Sequence, residues 1–262
     1  MADGGIGLLL EGSSTNLLLD SGNMVGNGDG GATTSWLDNA ANSTTSGGIS
    51  DPMGGTAGAN WPADAAGNIW CLQTVDTGAA VTGKTFTFSV WLKAGTTPAT
   101  NVKIYLDDGA APTESGSASA TVLTTLPTGW TRYSVTYTFA TSTRTTVRAH
   151  VFAGAQSAGQ SFDVWGAQLE ALPFASSYIP TTATAVTRAA DVLELPVAGN
   201  LPWANGSRSM SIMMDADALG DTGSALWQRL LTTDQSLYIR RGNTDAGLTA
   251  FVGTATLYAT TP

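Results

Sequence analysis

Positive charge is scarce in this sequence: 11 Lys and Arg residues stand against 20 Asp and Glu, for a formal net charge of −9 over 262 residues. No segment holds enough Lys or Arg to neutralise a phosphate backbone, so nucleic acid and anionic membrane are excluded as expected partners. Cysteine is reduced to Cys71, which rules out a disulfide within the chain. It sits in the apolar run Ile69-Trp70-Cys71-Leu72 with no cation beside it to activate the thiol, the setting of a buried structural cysteine. A single histidine, His150, excludes a multi-histidine metal site, and with one cysteine no common Cys/His zinc site can be built. No apolar run approaches the roughly 18 residues that a membrane-spanning helix needs, and no basic segment followed by an apolar stretch opens the chain. Neither a signal peptide nor membrane insertion is expected, and without disulfides the chain is expected to fold in a reducing cytosol.

Catalytic patterns are missing too. No Gly-x-Ser-x-Gly turn accompanies His150, and the Gly-rich run Gly26 to Gly31 lacks the lysine and strand context of a phosphate loop. The acidic residues fall in turns or at strand ends, without the patterned pair of carboxylates that glycoside hydrolysis needs. The chain is therefore expected not to be an enzyme.

What is abundant is Gly, Ser, Thr and Ala between short apolar runs, the composition of many strands joined by turns. Ile6 to Leu10 and Asn16 to Leu19 read as short strands broken by Gly12, Ser13 and Ser14. Residues 21–67 read as long ordered loops in which Trp36, Trp61 and, further on, Trp130 are either anchors or binding residues. From there strands are expected at Asn68 to Val75, Lys84 to Lys93, Asn101 to Asp107, Ala118 to Thr124, Trp130 to Phe139, Arg144 to Ala153 and Ser161 to Ala171. Because successive strand residues point to opposite sides, alternation assigns one face to the core. That face carries Phe86, Phe88, Val90 and Leu92; Val102, Ile104 and Leu106; Tyr133, Val135, Tyr137 and Phe139; and Val147, Ala149 and Val151. Phe162 and Trp165 point opposite ways, which makes the last strand central and covered on both sides. A boundary follows near Pro180 to Ala190. Beyond it, Ser209 to Ala216, Ala225 to Thr232, Leu237 to Arg241 and Leu248 to Val252 are strand candidates of a smaller unit, too short to stand alone without support. The fold class is all-β: a jelly-roll sandwich over about residues 6–185, in a domain of residues 1–185, followed by a β unit over 186–262.

A set of short motifs goes further. Gly7-Leu8-Leu9-Leu10-Glu11 with Thr15-Asn16-Leu17-Leu18, Phe86 to Gly95, Gly129-Trp130-Thr131-Arg132-Tyr133 and Trp165-Gly166-Ala167-Gln168-Leu169-Glu170 resembles a jelly-roll module frequent in tailed-phage structural proteins. It also resembles carbohydrate-binding modules attached to glycoside hydrolases. The segment Ser177-Tyr178-Ile179-Pro180-Thr181-Thr182 with Val186 to Asp191 is similar to the exit from that module in phage tail and fibre proteins. Leu201-Pro202-Trp203 with Ser209 to Asp215 resembles the opening of a concanavalin- or laminin-G-like domain. The resemblance implies a virion surface protein, a fibre, decoration or tail module made in the host cytoplasm, with other virion proteins and host surface polysaccharide as partners. By analogy with phage fibres a homotrimer is expected. The alternative is a binding module of a secreted polysaccharide-degrading enzyme. The resemblance also implies a structural calcium near the meeting of the first and last strands, for which Glu11, Asp20 and Asp163 are candidates; no other cofactor is implied.

The outward faces carry Trp91, Lys103 and Tyr105, Arg132, and Arg148, His150 and Phe152. Sugar rings stack their C–H faces on aromatic rings while their hydroxyls seek charged or amide partners. Trp91, Tyr105, Arg132, Arg148 and His150 are thus the candidate glycan-binding residues. The competing reading is that the same face is covered by residues 21–67, or buried between subunits, with His150 a satisfied structural residue.

Overall fold

Alternation of apolar and polar side chains produces long strands wherever the sequence carries it. The computed structural model describes residues 10–26, 35–38, 42–109 and 120–192, with the backbone of 228–233, 237–241, 248–252 and 255–259, and these residues contain no helix. The chain divides into two units, Glu11–Ala190 on the one hand and Met1–Leu10 with Asp191–Pro262 on the other. The strands of the first unit are β1 (Ser14–Asn16), β2 (Leu37–Asp38), β3 (Ser46–Ile49), β4 (Gly58–Pro62), β5 (Gly67–Asp76) and β6 (Thr85–Ala94). They continue with β7 (Thr100–Asp107), β8 (Thr121–Thr125), β9 (Thr131–Thr138), β10 (Thr146–Gln156), β11 (Ser161–Glu170) and β12 (Val186–Arg188).

Two antiparallel sheets of five strands form the sandwich, in the orders β2-β5-β10-β7-β8 and β3-β4-β11-β6-β9. From β4 to β11 the chain passes back and forth between them, which is the jelly-roll wrap: only β3-β4 and β7-β8 are sequence neighbours that also pair. The first sheet turns Ile69, Cys71, Val102, Ile104, Leu106, Val147, Ala149 and Val151 inward, all fully buried. The second answers with Trp61, Phe86, Phe88, Val90, Leu92, Phe162 and Val164. Each large apolar side chain so buried stabilises the fold by about 1.5–3 kcal/mol relative to exposure. The expected core face is therefore the observed one, except that Tyr133 and Tyr137 are only partly buried against it. Burial pushes the Cys71 thiol well above its usual range, as befits an inert core residue.

Two expectations are corrected. Residues 21–67 are not simply loop: they supply β2, β3 and β4, each an outer strand or next to one, and Trp36 and Trp61 are fully buried. Trp61 stacks on Phe162 with centroids 6.4 Å apart and donates its indole N–H to the Met24 carbonyl at 3.0 Å. The early turn is misplaced as well, because Ser14 opens β1, and β1 ends at Asn16. The two-residue β2 and the Gly-rich β3 carry too few apolar side chains for alternation to reveal them; their partners impose the extended backbone.

Strand β11 lies at the centre of its sheet and every one of its residues is buried. It breaks register against β6 between Trp165 and Gln168. Gly166 adopts φ +67°, and a Cβ there would come within 2.7 Å of Trp91 Cε3, so only glycine lets the indole lie flat on the backbone at this bulge. The ends of the unit are fastened by β1 pairing antiparallel with β12, Ser14 opposite Arg188. Beside that pair Asn16 is fully buried; it donates to the carbonyls of Ala167 (3.1 Å) and Ile179 (2.9 Å) and accepts from the amides of Leu18 and Leu169. All four hydrogen-bonding positions of its amide are satisfied, which makes burial affordable.

The second unit contains β13 (Gln228–Thr233), β14 (Leu237–Arg241), β15 (Leu248–Val252) and β16 (Ala255–Ala259), an antiparallel meander in sequence order. The strand expected at Ser209 to Ala216, most of that expected at Ile6 to Leu10, and the lectin-like opening at Leu201 to Trp203 and Ser209 to Asp215 lie outside the described residues.

Candidate functional site

The outward face of the β2-β5-β10-β7-β8 sheet is built in rows fixed by strand register. Trp70 on β5 pairs with Phe152 on β10, which pairs with Lys103 on β7 and through it with Val122 on β8. The next row sets Leu72, His150 and Tyr105 side by side, and the one after that Thr74, Arg148 and Asp107. Trp70, Phe152, Lys103, Tyr105 and Arg148 are all partly exposed, so this face presents rings and cations to its surroundings.

Asp107 organises the polar end. Arg148 Nε donates to its Oδ1 at 2.6 Å. His150 Nε2 stands 2.8 Å from its Oδ2, close enough for attraction though its N–H is not aligned as a hydrogen bond. Burial alone would raise the Asp107 carboxyl, but the contacts and charges of His150 and Arg148 outweigh it and hold the group below its ordinary value, so it stays a carboxylate. The Tyr105 ring lies parallel to the His150 ring at 4.4 Å between centroids and 6° between planes. Burial raises its phenol pKa, and Asp107 adds to the rise. The result is a rigid Tyr–His stack propped on a paired carboxylate, next to an aromatic row.

The structure brings together Tyr105, Arg148 and His150 of the residues singled out in the sequence. Trp91 and Arg132 stand on the other sheet. There Trp91 lies on the backbone at Gly166, while the Arg132 guanidinium covers its other face at 4.5 Å from the ring. Trp165 and Tyr178 close its edges at 5.3 and 5.4 Å. Arg132 is itself spoken for, donating to the Ser176 carbonyl at 2.7 Å and to Ser89 Oγ at 2.9 Å. This face is covered chiefly by a strap formed by 172–181, to which Ser21 is joined through the Tyr178 hydroxyl at 2.8 Å and the Thr181 amide at 2.8 Å. Thr87 Oγ1 donates to the Leu172 carbonyl at 2.7 Å, Gln168 Oε1 accepts from the Ile179 amide at 2.7 Å, and the buried Glu170 accepts from the Ser176 amide at 3.0 Å, from its hydroxyl, and from Ser14 Oγ. Trp130 is a partly exposed anchor, its indole N–H on the Ser50 carbonyl at 2.8 Å and Lys93 over its ring at 4.8 Å. Trp70 and Asp107 are the site residues that the sequence reading passed over. Trp70 was detectable by parity, opposite Ile69 and Cys71, whereas nothing marked Asp107, the last residue of its strand.

The three carboxylates considered for calcium do not converge. Glu11 pairs with Arg188 and accepts from the Ser177 amide at 2.7 Å. Asp20 accepts from Ser35 Oγ at 2.8 Å, and Asp163 from Asn60 Nδ2 at 2.6 Å, with Lys93 at 3.4 Å. Among the described residues no three His, Cys, Asp or Glu side chains cluster, and these three carboxylates, each held by its own partners, do not form one shared calcium site.

No curated protein matches the chain significantly. Among solved structures, the one described as "CBM4 structure and function" is 16% identical with a TM-score of 0.39, covering 52% of this chain and 86% of its own. The CBM22-1 xylan-binding domain of Paenibacillus barcinonensis Xyn10C is 8% identical, with a TM-score of 0.42 and coverage of 62% and 94%. The enzymatically active domain of tailspike protein 4 of bacteriophage CBA120 is 10% identical, with a TM-score of 0.40, over 59% of this chain but only 21% of that one. At these scores the likenesses are too distant to carry function. The family model is another matter: residues 23–159 match the carbohydrate binding domain CBM_4_9, a span that includes every strand of the sheet bearing the Trp70–Phe152–Lys103 row. That match takes in more than half of the chain, and the protein belongs to the CBM_4_9 carbohydrate binding domain family.

Proposed function

We propose that the Glu11–Ala190 unit holds a polysaccharide on the outward face of β5, β10 and β7, without cleaving it. The observation that carries this reading is the juxtaposition of the Trp70–Phe152 ring pair and the Tyr105–His150 stack with the cationic side chains of Lys103 and Arg148. Aromatic faces match the C–H faces of sugars, and the cations offer charge-assisted hydrogen bonds to hydroxyl or carboxylate oxygens. Both oxygens of Asp107 face basic side chains, and among the described residues this face holds no free carboxylate pair for hydrolysis.

The wider role is that of a virion surface protein, a fibre, decoration or tail module, in which repeated copies turn weak sites into firm adhesion to the host. Its support is the motif set around Trp91, Trp165 and Ser177-Tyr178-Ile179-Pro180 and the lack of any disulfide. The CBM_4_9 match favours equally a module of a secreted polysaccharide-degrading enzyme. Labelling of particles with an antibody against the chain separates the two.

Affinity electrophoresis of the full chain in gels containing plant, bacterial or algal polysaccharides tests the binding reading. Retardation by at least one polymer is expected, lost on Trp70→Ala and Tyr105→Ala with the circular dichroism spectrum unchanged. Retardation that survives both substitutions but disappears in Trp91→Ala would transfer binding to the opposite sheet and sink the proposed face.

A further inference from the structure

Charge on the proposed face is out of keeping with the rest of the chain. The protein carries −9 overall, yet the rows from Trp70 to Asp107 contain the cations Lys103 and Arg148 against one carboxylate, Asp107. That carboxylate is already matched by Arg148 and His150. The other acid of the same strand parity, Asp76, lies three rows from Lys103, roughly 20 Å along the strands, and turns its carboxylate to the Gly78 amide at 2.9 Å. Asp108, just past β7, is buried.

The cations are not used up. Arg148 spends only Nε on Asp107, and its two terminal amino groups have no hydrogen-bond partner among the described residues. Among the described residues Lys103 makes neither an ion pair nor a hydrogen bond, although it is partly buried in mid-strand directly opposite Phe152. This contrasts with Lys93 on Asp163 and Arg188 on Glu11. A solvent-facing lysine would be unremarkable at a loop tip; set at the end of an aromatic row, it gives the row a charged terminus. Register places Lys103 and Arg148 four residues apart on neighbouring strands, roughly 14 Å, with the Tyr105–His150 stack between them.

We infer that the glycan held by this face is acidic, a polysaccharide bearing carboxylates, with Lys103 and the free end of Arg148 receiving acidic groups on either side of the aromatic stack. The inference rests on the binding face proposed above and adds the class of ligand. Uronate units offer both elements, a C–H face for the rings and a carboxylate for each cation. Because the attraction is ionic and partly exposed, it must weaken as salt rises.

The test uses the full chain with polygalacturonate, its fully methyl-esterified form, which keeps the backbone and removes the charge, and neutral xylan and β-glucan. Binding to polygalacturonate is expected to be about tenfold tighter than to the ester, the worth of one charge-assisted contact, and to fall with added salt. Lys103→Gln should erase that preference and Lys103→Glu should reduce binding to background. Because Lys103 has no polar partner among the described residues, both variants are expected to keep the fold, which an unchanged circular dichroism spectrum checks. Equal binding to the ester, indifference to Lys103→Gln, or binding confined to xylan or β-glucan overturns the acidic-ligand inference and leaves the binding face standing. Failure to bind any of the four polymers overturns the inference, and failure across the wider gel panel as well removes the binding face with it.

Discussion

Asp107 shows how one side chain sets the chemistry around it. Its carboxylate holds Arg148 by Nε, stands against His150, and so fixes the ring on which Tyr105 stacks. The Asp107 pKa is depressed below 3.8 in the folded protein, so the stability it contributes is present above that value and is lost as pH falls through the lower, folded one. Asp107→Ala should therefore cost about 1–3 kcal/mol at neutral pH, measured by urea unfolding, with the gap from wild type shrinking in acid below pH 3.8. A gap that stays constant into strong acid would show that the Asp107 charge plays no part. Tyr105, Arg148 and His150 were legible as outward residues because strand parity needs only local sequence. Their separation from Trp91 and Arg132 was not, because parity says which way a side chain points and not which sheet its strand joins. That depends on the crossovers that send β6 and β9 to one sheet and β7 and β10 to the other.

At the level of elements, the strap of 172–181 does for one sheet what a second layer would otherwise do. Its attachment is polar: Glu170 is fully buried and binds Ser176 and Ser14, while Arg132 reaches the Ser176 carbonyl. Truncation as Glu170→Ala leaves these donors unpaired inside the protein, at a cost of about 3 kcal/mol. It should also free Tyr178 from Trp91 and Trp165, seen as a red shift of tryptophan emission, without touching the polysaccharide binding proposed for the opposite sheet. An unshifted spectrum with unchanged stability would show that the strap is held by its aromatic contacts alone. The strands from β5 to β11 were readable because each is a run of apolar and β-branched residues bounded by turn residues, alternating in β6, β7, β9 and β10. Strands β2 to β4 were not: Leu37-Asp38, Ser46-Gly47-Gly48-Ile49 and Gly58-Ala59-Asn60-Trp61-Pro62 have the composition of turns, and they become strands because β5 and β11 offer open edges to β2 and β4, and β4 in turn to β3. In the same way the strap looks like an exit loop in sequence, and nothing local to it reveals which sheet it will lie against.

For the molecule as a whole, the virion reading carries an expectation of a trimer, and the mass of the chain in solution by light scattering decides it; a monomer would remove the multivalent part of the adhesion argument. The sandwich unit also has its entry and exit strands side by side, with Ser14 opposite Arg188 at the outer end of the β1-β12 pair. Tension applied between residues 11 and 190 therefore acts on that pair rung by rung, as on a zipper, and not along the length of its hydrogen bonds. The clasp should part at low force in single-molecule stretching, while the β5-β10-β7 sheet stays folded until a second, larger event. A tethered adhesin built this way would lengthen under a tug and keep its grip.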